Sequence, residues 1–274
     1  MTTLAQYRSS RELFSNLTLR ELRSKYKRSF LGWAWSMVTP VVNTLVYTIL
    51  FAILFKAQAP SEGPSHLKVY ALFLLTGLLP WNFFQNATMS SVGSLIGNSN
   101  LIKKTYFPRE LLPASNVGAA LVSHLIEMGL LLVILLAFGD YWSLVWLPAT
   151  VLLILLTAIF GLGFGLICSI LNVYFRDIEH FLAILFLLWL YAAPIVYPPR
   201  LVAEHHLPFT HIDLLSALKV NPMTDMALLF RQTMYYGQGP DLLQLLYYAA
   251  WAFGLLFLGL RVFNKLEGRL AEEL

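Results

Sequence analysis

Six stretches of this chain stay apolar for so long that they demand a hydrocarbon surrounding: 33–55, 69–92, 111–138, 144–171, 181–197 and 242–263. A helix crosses a bilayer core in about 20 mostly apolar residues, because it satisfies its own backbone donors and acceptors as it goes. The fifth stretch is the shortest and carries Pro194, which predicts a kink or a pairing with a re-entrant piece. Charged residues make up only 12% of the chain, against roughly 25% in soluble domains. The expected fold class is therefore an all-α integral membrane protein. Residues 1–274 would form one transmembrane unit, with a cytoplasmic interface helix over 11–32, six spans over 33–263 and a tail over 264–274.

Charge sets the orientation. With the N-terminus inside, fourteen lysines and arginines fall on the cytoplasmic side, while Lys56, Lys68, Arg200, Lys219 and Arg231 face outward. That asymmetry predicts cytoplasmic termini in an inner, multi-pass membrane protein. The polar, basic start has no cleavable apolar core before residue 30, so the first span is expected to direct insertion. Cys168 is the single cysteine, which excludes an intrachain disulfide and a thiolate zinc site.

The stretch RSKYKRSFLGWAWSMVTP joins a cationic run to the mouth of the first span. Thr18 and Glu21 match a capping box, which predicts a helix start there. Leu19, Leu22, Tyr26, Phe30 and Trp33 share about 80° of a helical wheel, while Arg20, Arg23, Lys25, Lys27 and Arg28 carry the charge. Such a helix lies at the membrane interface. One reading makes it a topology anchor on anionic headgroups, and another makes it an element that moves the first span.

Two cytoplasmic loops bear on that choice. In NSNLIKKTYFPRELLP, Asn98 or Ser99 can cap a short helix bearing Asn100, Leu101, Ile102, Lys103, Lys104, Tyr106 and Phe107, with Pro108 as its stop. Exposed apolar and aromatic side chains beside cations suit a docking surface better than a simple turn. The second loop, NVYFRDIEH, is short and charged at Arg176, Asp177 and Glu179.

These two loops, the basic N-terminal stretch and NPMTDMALLFR at 221–231 together resemble the membrane subunit of ABC-2-type polysaccharide exporters, whose cargoes include O-antigen, teichoic acid, capsule and galactan. The likeness runs over nearly the whole chain. It implies a homodimer of permeases bound to two copies of a nucleotide-binding ATPase subunit, which drives a lipid-linked polysaccharide outward. By that resemblance, Arg20–Phe30 is an interface and gate helix, Ser99–Phe107 the principal coupling element, and Arg176–Glu179 a secondary contact. Short re-entrant helices are implied in the outer segment 198–241, where Met226, Leu229, Phe230 and Met234 form an apolar stripe.

No Gly-Lys dipeptide occurs, so the chain has no phosphate-cradling GxxxxGK[ST] loop. ATP and magnesium are expected on the partner subunit, with no cofactor, metal or catalytic residue on this chain and no nucleic-acid partner. Gly161 and Gly165 read as a small-residue helix contact. A glycan path would be lined by rings with few charges. Trp33, Tyr47 and Phe51 on one face of the first span fit that need, and Trp189 and Tyr191 in the fifth are further candidates; ordinary packing remains the competing reading. Glu127 is a carboxylate deep in the third span, sharing a face with Asn116 and Ser123, with His124 one turn before it. Interhelical hydrogen bonding, a polar pore wall or a proton relay would each account for it. A relay would need partners from another span, and none is evident.

Two other classes compete with the exporter. A membrane enzyme acting on a lipid-linked sugar would call for an Asp-x-Asp pair or clustered outer carboxylates. An ion-coupled transporter would call for charges in several spans and an inverted repeat. The sequence offers neither set. His205, His206 and His211 in the outer segment read as solvated loop residues. The weakly cationic outer and pore-facing segments favour a neutral cargo, such as O-antigen or galactan, over teichoic acid.

Overall fold

The computed structural model describes residues 4–26, 32, 35–54, 56, 59–60, 63–203 and 218–273. Every regular element among them is helical. Among the described residues, three helices are long and apolar enough to cross a membrane: α6 (Leu111–Ala137), α8 (Leu147–Tyr174) and α12 (Leu242–Leu266), the last continuing through a 3-10 turn to Arg269. Two shorter apolar helices accompany them. One is α2 (Trp35–Thr48), extended by a π-helical turn over Ile49–Leu54, and the other is α9 (Ile178–Ala192). The remaining helices are α1 (Leu4–Tyr26), α3 (Tyr70–Val92), α4 (Ser94–Gly97), α5 (Ser99–Lys104), α7 (Trp142–Val145), α10 (Arg200–Ala203), α11 (Pro222–Met234) and α13 (Leu270–Glu273).

The second expected span, α3, has the right length but not the apolarity of the three long helices. Its C-terminal half carries Asn82, Gln85, Asn86, Thr88, Ser90 and Ser91. The reason is its position. α3 is the central post of the molecule, touched by α2, α6, α8, α9 and α11, and most of its side chains are buried in protein. A helix surrounded by helices has no need of a lipid-compatible surface, so hydropathy understates it.

The glycine run of α8 serves two neighbours at once. Gly161 and Gly165 face α3, where an added Cβ would lie 3.7 Å from Ala87 and 3.0 Å from Ser91. Gly163 points the other way. A Cβ there would stand 2.5 Å from the Leu256 backbone nitrogen, and one on Gly259 would stand 2.5 Å from the Gly163 carbonyl. The α8–α12 crossing is thus backbone on backbone, which only hydrogen in place of Cβ permits.

Several expectations need correction. The Thr18–Glu21 capping box does not open a helix: α1 already runs through it, Thr18 is buried against Gly118 of α6, and Glu21 pairs with Arg20 at 2.6 Å. The buried face of α1 carries Leu17 and Leu22, whereas Leu19 is 45% exposed. The wheel missed this because α1 packs on a protein neighbour, α6, and not along a flat interface. The fifth helix ends at Ala192, before Pro194, and Pro194 to Val196 run on as buried non-helical chain. Lys27, Arg28, Phe30, Trp33 and the outer histidines lie outside the described residues.

Candidate functional site

The end of the helix bundle that holds α5 and the C-terminal segment is organised by a second apolar cluster, separate from the main core. Leu17 of α1, Ile102 of α5, Leu112 of α6, Ile170 of α8, Phe263 of α12 and Leu270 of α13 meet there. α5 is only six residues long and would be marginal alone. Its start is fixed by backbone bonds from Leu101 and Ile102 to the Asn98 carbonyl. The Asn98 side chain donates to Ser94 at 2.8 Å and accepts from the Arg20 guanidinium of α1 at 2.7 Å. Arg109, just beyond α5, donates to the Glu267 carbonyl at 2.6 Å, and Tyr174 donates to Leu266 at 3.0 Å. The basic helix, the loop and the C-terminal segment therefore form one fastened unit.

Within that unit the expected docking side chains divide. Ile102 and Phe107 are buried and Leu101 is half-buried, so they anchor α5 instead of decorating it. α5 also stops at Lys104, before Pro108, because Thr105 is already extended at φ −135° and ψ 140°. Asn100, Lys103 and Lys104 are exposed, Ser99 is half-buried, and Tyr106 is fully exposed. In the second loop Phe175, Arg176, Asp177, Glu179 and Phe181 are all exposed. Arg23 and Lys25 point outward from α1, whose helix reaches Tyr26. Tyr106 therefore stands exposed beside Lys103 and Lys104, two residues past the end of the pinned α5, in the kind of arrangement that partner surfaces use.

On α2, the stripe of Pro40, Thr44, Tyr47 and Phe51 turns inward, while Val41, Val42, Leu45 and Val46 are exposed. The Tyr47 and Tyr191 hydroxyls stand 3.4 Å apart and join α2 to α9, and Phe51 stacks on Tyr70 at 6.3 Å. Tyr191 is half exposed beside this pair. Trp189 is placed differently. It belongs to an interior aromatic group with Trp81, Phe84, Phe164 and Phe186, and its indole donates to Asn221 at 2.9 Å.

Glu127 is 93% buried, its relative exposure being 7%, and it does have polar neighbours from other helices. It lines a cavity of about 480 Å³ with Lys25, Trp35, Thr39, Asn43, Asn82, Gln85 and Asn86. A second cavity of about 370 Å³ shares Lys25 and Asn86 and continues along Glu21, Ser24, Ser90 and Asn116. His124 is 3.7 Å from the Glu127 carboxylate but stacks flat on Phe83 at 4.6 Å, with both ring nitrogens unpartnered. The amides of α3 do not ionise, so they make a polar wall and not a proton chain. Sequence reading missed them because they are uncharged, although Asn82, Gln85 and Asn86 sit at the i, i+3, i+4 spacing of one helix face.

The opposite end is organised around Arg231. Counted in the sequence among the outer cations, Arg231 has no exposed surface. Its two terminal nitrogens donate to the Pro194 and Ile195 carbonyls at 2.5 Å each, and its guanidinium lies 3.8 Å over the Phe73 ring. Gly77 leaves the room, since a Cβ there would be 3.0 Å from the Arg231 guanidinium. Asn221 caps α11 by accepting from the Met223 amide at 3.1 Å, and donates to the Ala192 carbonyl at 3.2 Å. The Met226, Leu229, Phe230 and Met234 stripe is buried against this core. The NPMTDMALLFR segment is thus a cap, a Pro at the first turn, an apolar face and a buried fork, each at its required offset.

Residues 12–235 match the family model of the ABC-2 type transporter. The chain is 33% identical to the O-antigen export system permease protein RfbA of Klebsiella pneumoniae, covering 95% of this chain and 94% of that protein. It is 30% identical to the RfbA of Myxococcus xanthus over 99% and 97% of the two chains. Similarity extends to the polysialic acid transport protein KpsM of Escherichia coli, at 25% identity over 92% of each. By its helices and by this match over most of its length, the chain belongs to the ABC-2 type transporter family.

Proposed function

We propose that this chain is the permease subunit of an ATP-driven exporter of a lipid-linked polysaccharide of the O-antigen type. Two copies form the conduit and each engages a separate ATPase subunit. In this reading the chain crosses the inner membrane six times, with α2, α3 and α9 joining the three long helices and both termini in the cytoplasm. α11 dips back from the outer face. ATP hydrolysis belongs to the partner, which grips Lys103, Lys104 and Tyr106 and touches Arg176, Asp177 and Glu179. α1 then passes the motion to α2 through Arg20 and the cytoplasmic cluster. The face carrying Tyr47, Phe51 and Tyr191 would guide the polymer.

The observation that carries this reading is the fastened α5 unit with its fully exposed Tyr106, in a chain similar over nearly all its length to export permeases. The test is removal of the chain from its host, followed by staining of surface polysaccharide. Surface polymer should disappear while polymer accumulates inside the cell, and restoring the chain should reverse both. Normal surface polymer without the chain overturns the reading.

A further inference from the structure

The cleft between α1, α2, α3 and α6 has no role in the coupling surface or in the Tyr47–Tyr191 face. We propose that it is a binding site for an uncharged, hydroxyl-rich glycosyl group, entered from the cytoplasmic side. This rests on the reading that the chain moves a glycan, and it names where one sugar residue of that cargo is held.

One atom of the site is costly, which asks for a reason: Asn43, Asn82 and Gln85 are half-buried and Asn86 is exposed, but the Asn82 amide nitrogen is not reached by solvent. An amide with no partner in a low-dielectric interior costs about 1–3 kcal/mol. Here Asn43, Asn82, Gln85 and Asn86 face one cavity, and none has a side-chain hydrogen bond to another described residue. The Asn82 amide nitrogen is fully buried and still without an acceptor. Had these amides served helix packing, they would bond across to a neighbouring helix, as Asn172 of α8 does to the Val92 carbonyl at 3.3 Å. One buried amide nitrogen without an acceptor, beside three more amides unbonded to protein around a cavity of about 480 Å³, fits a ligand site, and that volume lies in the range of small-molecule sites.

The lining selects the chemistry. Each amide both donates and accepts, and the Glu127 carboxylate accepts from hydroxyls. Trp35 offers a half-exposed indole beside them for the apolar face of a pyranose ring. Lys25 lines the cavity from α1, where an anionic group would be met, whereas the inner lining of Asn82, Gln85 and Glu127 offers no cation and suits a neutral polyol. Depth follows from helix rise. Glu127 lies about 24 Å along α6 from Leu111, and Asn82 about 15 Å from the Val92 end of α3, so the cleft reaches roughly mid-membrane. Asn116 and Ser24 line the adjoining cavity toward the cytoplasmic ends.

The test uses the permease with its ATPase subunit in lipid nanodiscs, probed with the methyl pyranosides of glucose, galactose, mannose and N-acetylglucosamine. Saturation-transfer NMR should detect at least one of them on the native complex. The signal should fall about tenfold in an N82L/Q85L variant. Because that variant can misfold, a second measurement places a cysteine at the cleft (N86C with C168S) and follows its maleimide labelling. The same pyranoside should slow labelling severalfold. Equal signal in N82L/Q85L, or labelling of N86C indifferent to every pyranoside, overturns the site. Those results leave the export reading intact, because that reading falls by the separate loss-of-surface-polymer test.

Discussion

The two ends of this molecule, outer and cytoplasmic in the proposed orientation, are fastened in opposite ways. At the outer end the structure turns inward: Arg231 has no exposed surface, the Asn221 side chain bridges α11, α9 and Trp189, and the apolar side of α11 is buried. At the cytoplasmic end the anchors are hidden but the display is not. Ile102 and Leu270 sit in an apolar cluster while Tyr106 and Phe175 stand in water. A buried polar fork resists deformation, since its parts lose both charge-assisted bonds and packing if they separate. An exposed ring just past the end of a pinned helix loses nothing until a partner arrives. The contrast assigns stiffness to the outside and responsiveness to the inside.

The sharpest way to break that contrast is at Arg231. Arg231→Ala strands the Pro194 and Ile195 carbonyls and empties the space over Phe73. Bonds to charged groups are worth about 1.5–3 kcal/mol each, so the loss of two should be about 3–6 kcal/mol. The purified chain should melt about 10 °C lower. Arg231→Lys should not rescue it, because an ammonium cannot fork across two carbonyls as a guanidinium does. A melting temperature unmoved by Arg231→Ala would mean that the outer end is not the stiff one.

A smaller effect on stability, but a large one on assembly, is expected at Tyr106. Tyr106→Asp removes a side chain that touches nothing in this chain, so the melting temperature should stay within a degree of the native value. Affinity for the ATPase subunit should drop more than tenfold, measured by co-purification or surface plasmon resonance, as for an aromatic anchor at an interface. Ile102→Asp, by contrast, should lower the melting temperature, because it buries a charge in the cluster that holds α5. Equal effects of the two changes would erase the division between anchor and display.

How much of this was legible beforehand depends on what surrounds each residue. The helices 111–137, 147–174 and 242–266 were plain from hydropathy, because each is a long run with few charges. Gly161 and Gly165 were readable as a helix contact, since spacing alone implies a common face. Arg231 could be counted as an outer cation, but its burial was not legible, because only tertiary structure supplies the two carbonyls that hold it. The Thr18–Glu21 box was a true pattern with no helix start behind it, since α1 was already under way. Ile102 and Phe107 looked like display because the cluster that hides them is assembled from helices far apart in sequence. The α3 amides were invisible for a related reason: uncharged polar residues in a span draw notice only once a cavity is seen in front of them.

The smallest effect probes how tightly the inner end is closed. Glu267 sits where the C-terminal segment meets the loop after α5, and its carbonyl takes the Arg109 bond. Burial raises its carboxyl pKa above the ordinary value, Glu110 adds to the rise and Arg109 opposes it. A raised folded-state pKa means that the folded chain prefers the protonated carboxyl. That preference stabilises fully below the unfolded value of about 4.3 and is lost as pH climbs through the folded value. At neutral pH the charged Glu267 therefore works mildly against closure. Glu267→Gln should raise the melting temperature slightly at pH 8, and the gain should vanish below about pH 4, where both side chains are neutral. A gain that persists at low pH would trace to packing and not to charge. A loss at pH 8 would show that Arg109 outweighs burial, and that the inner end is held by an ion pair as the outer end is held by its fork.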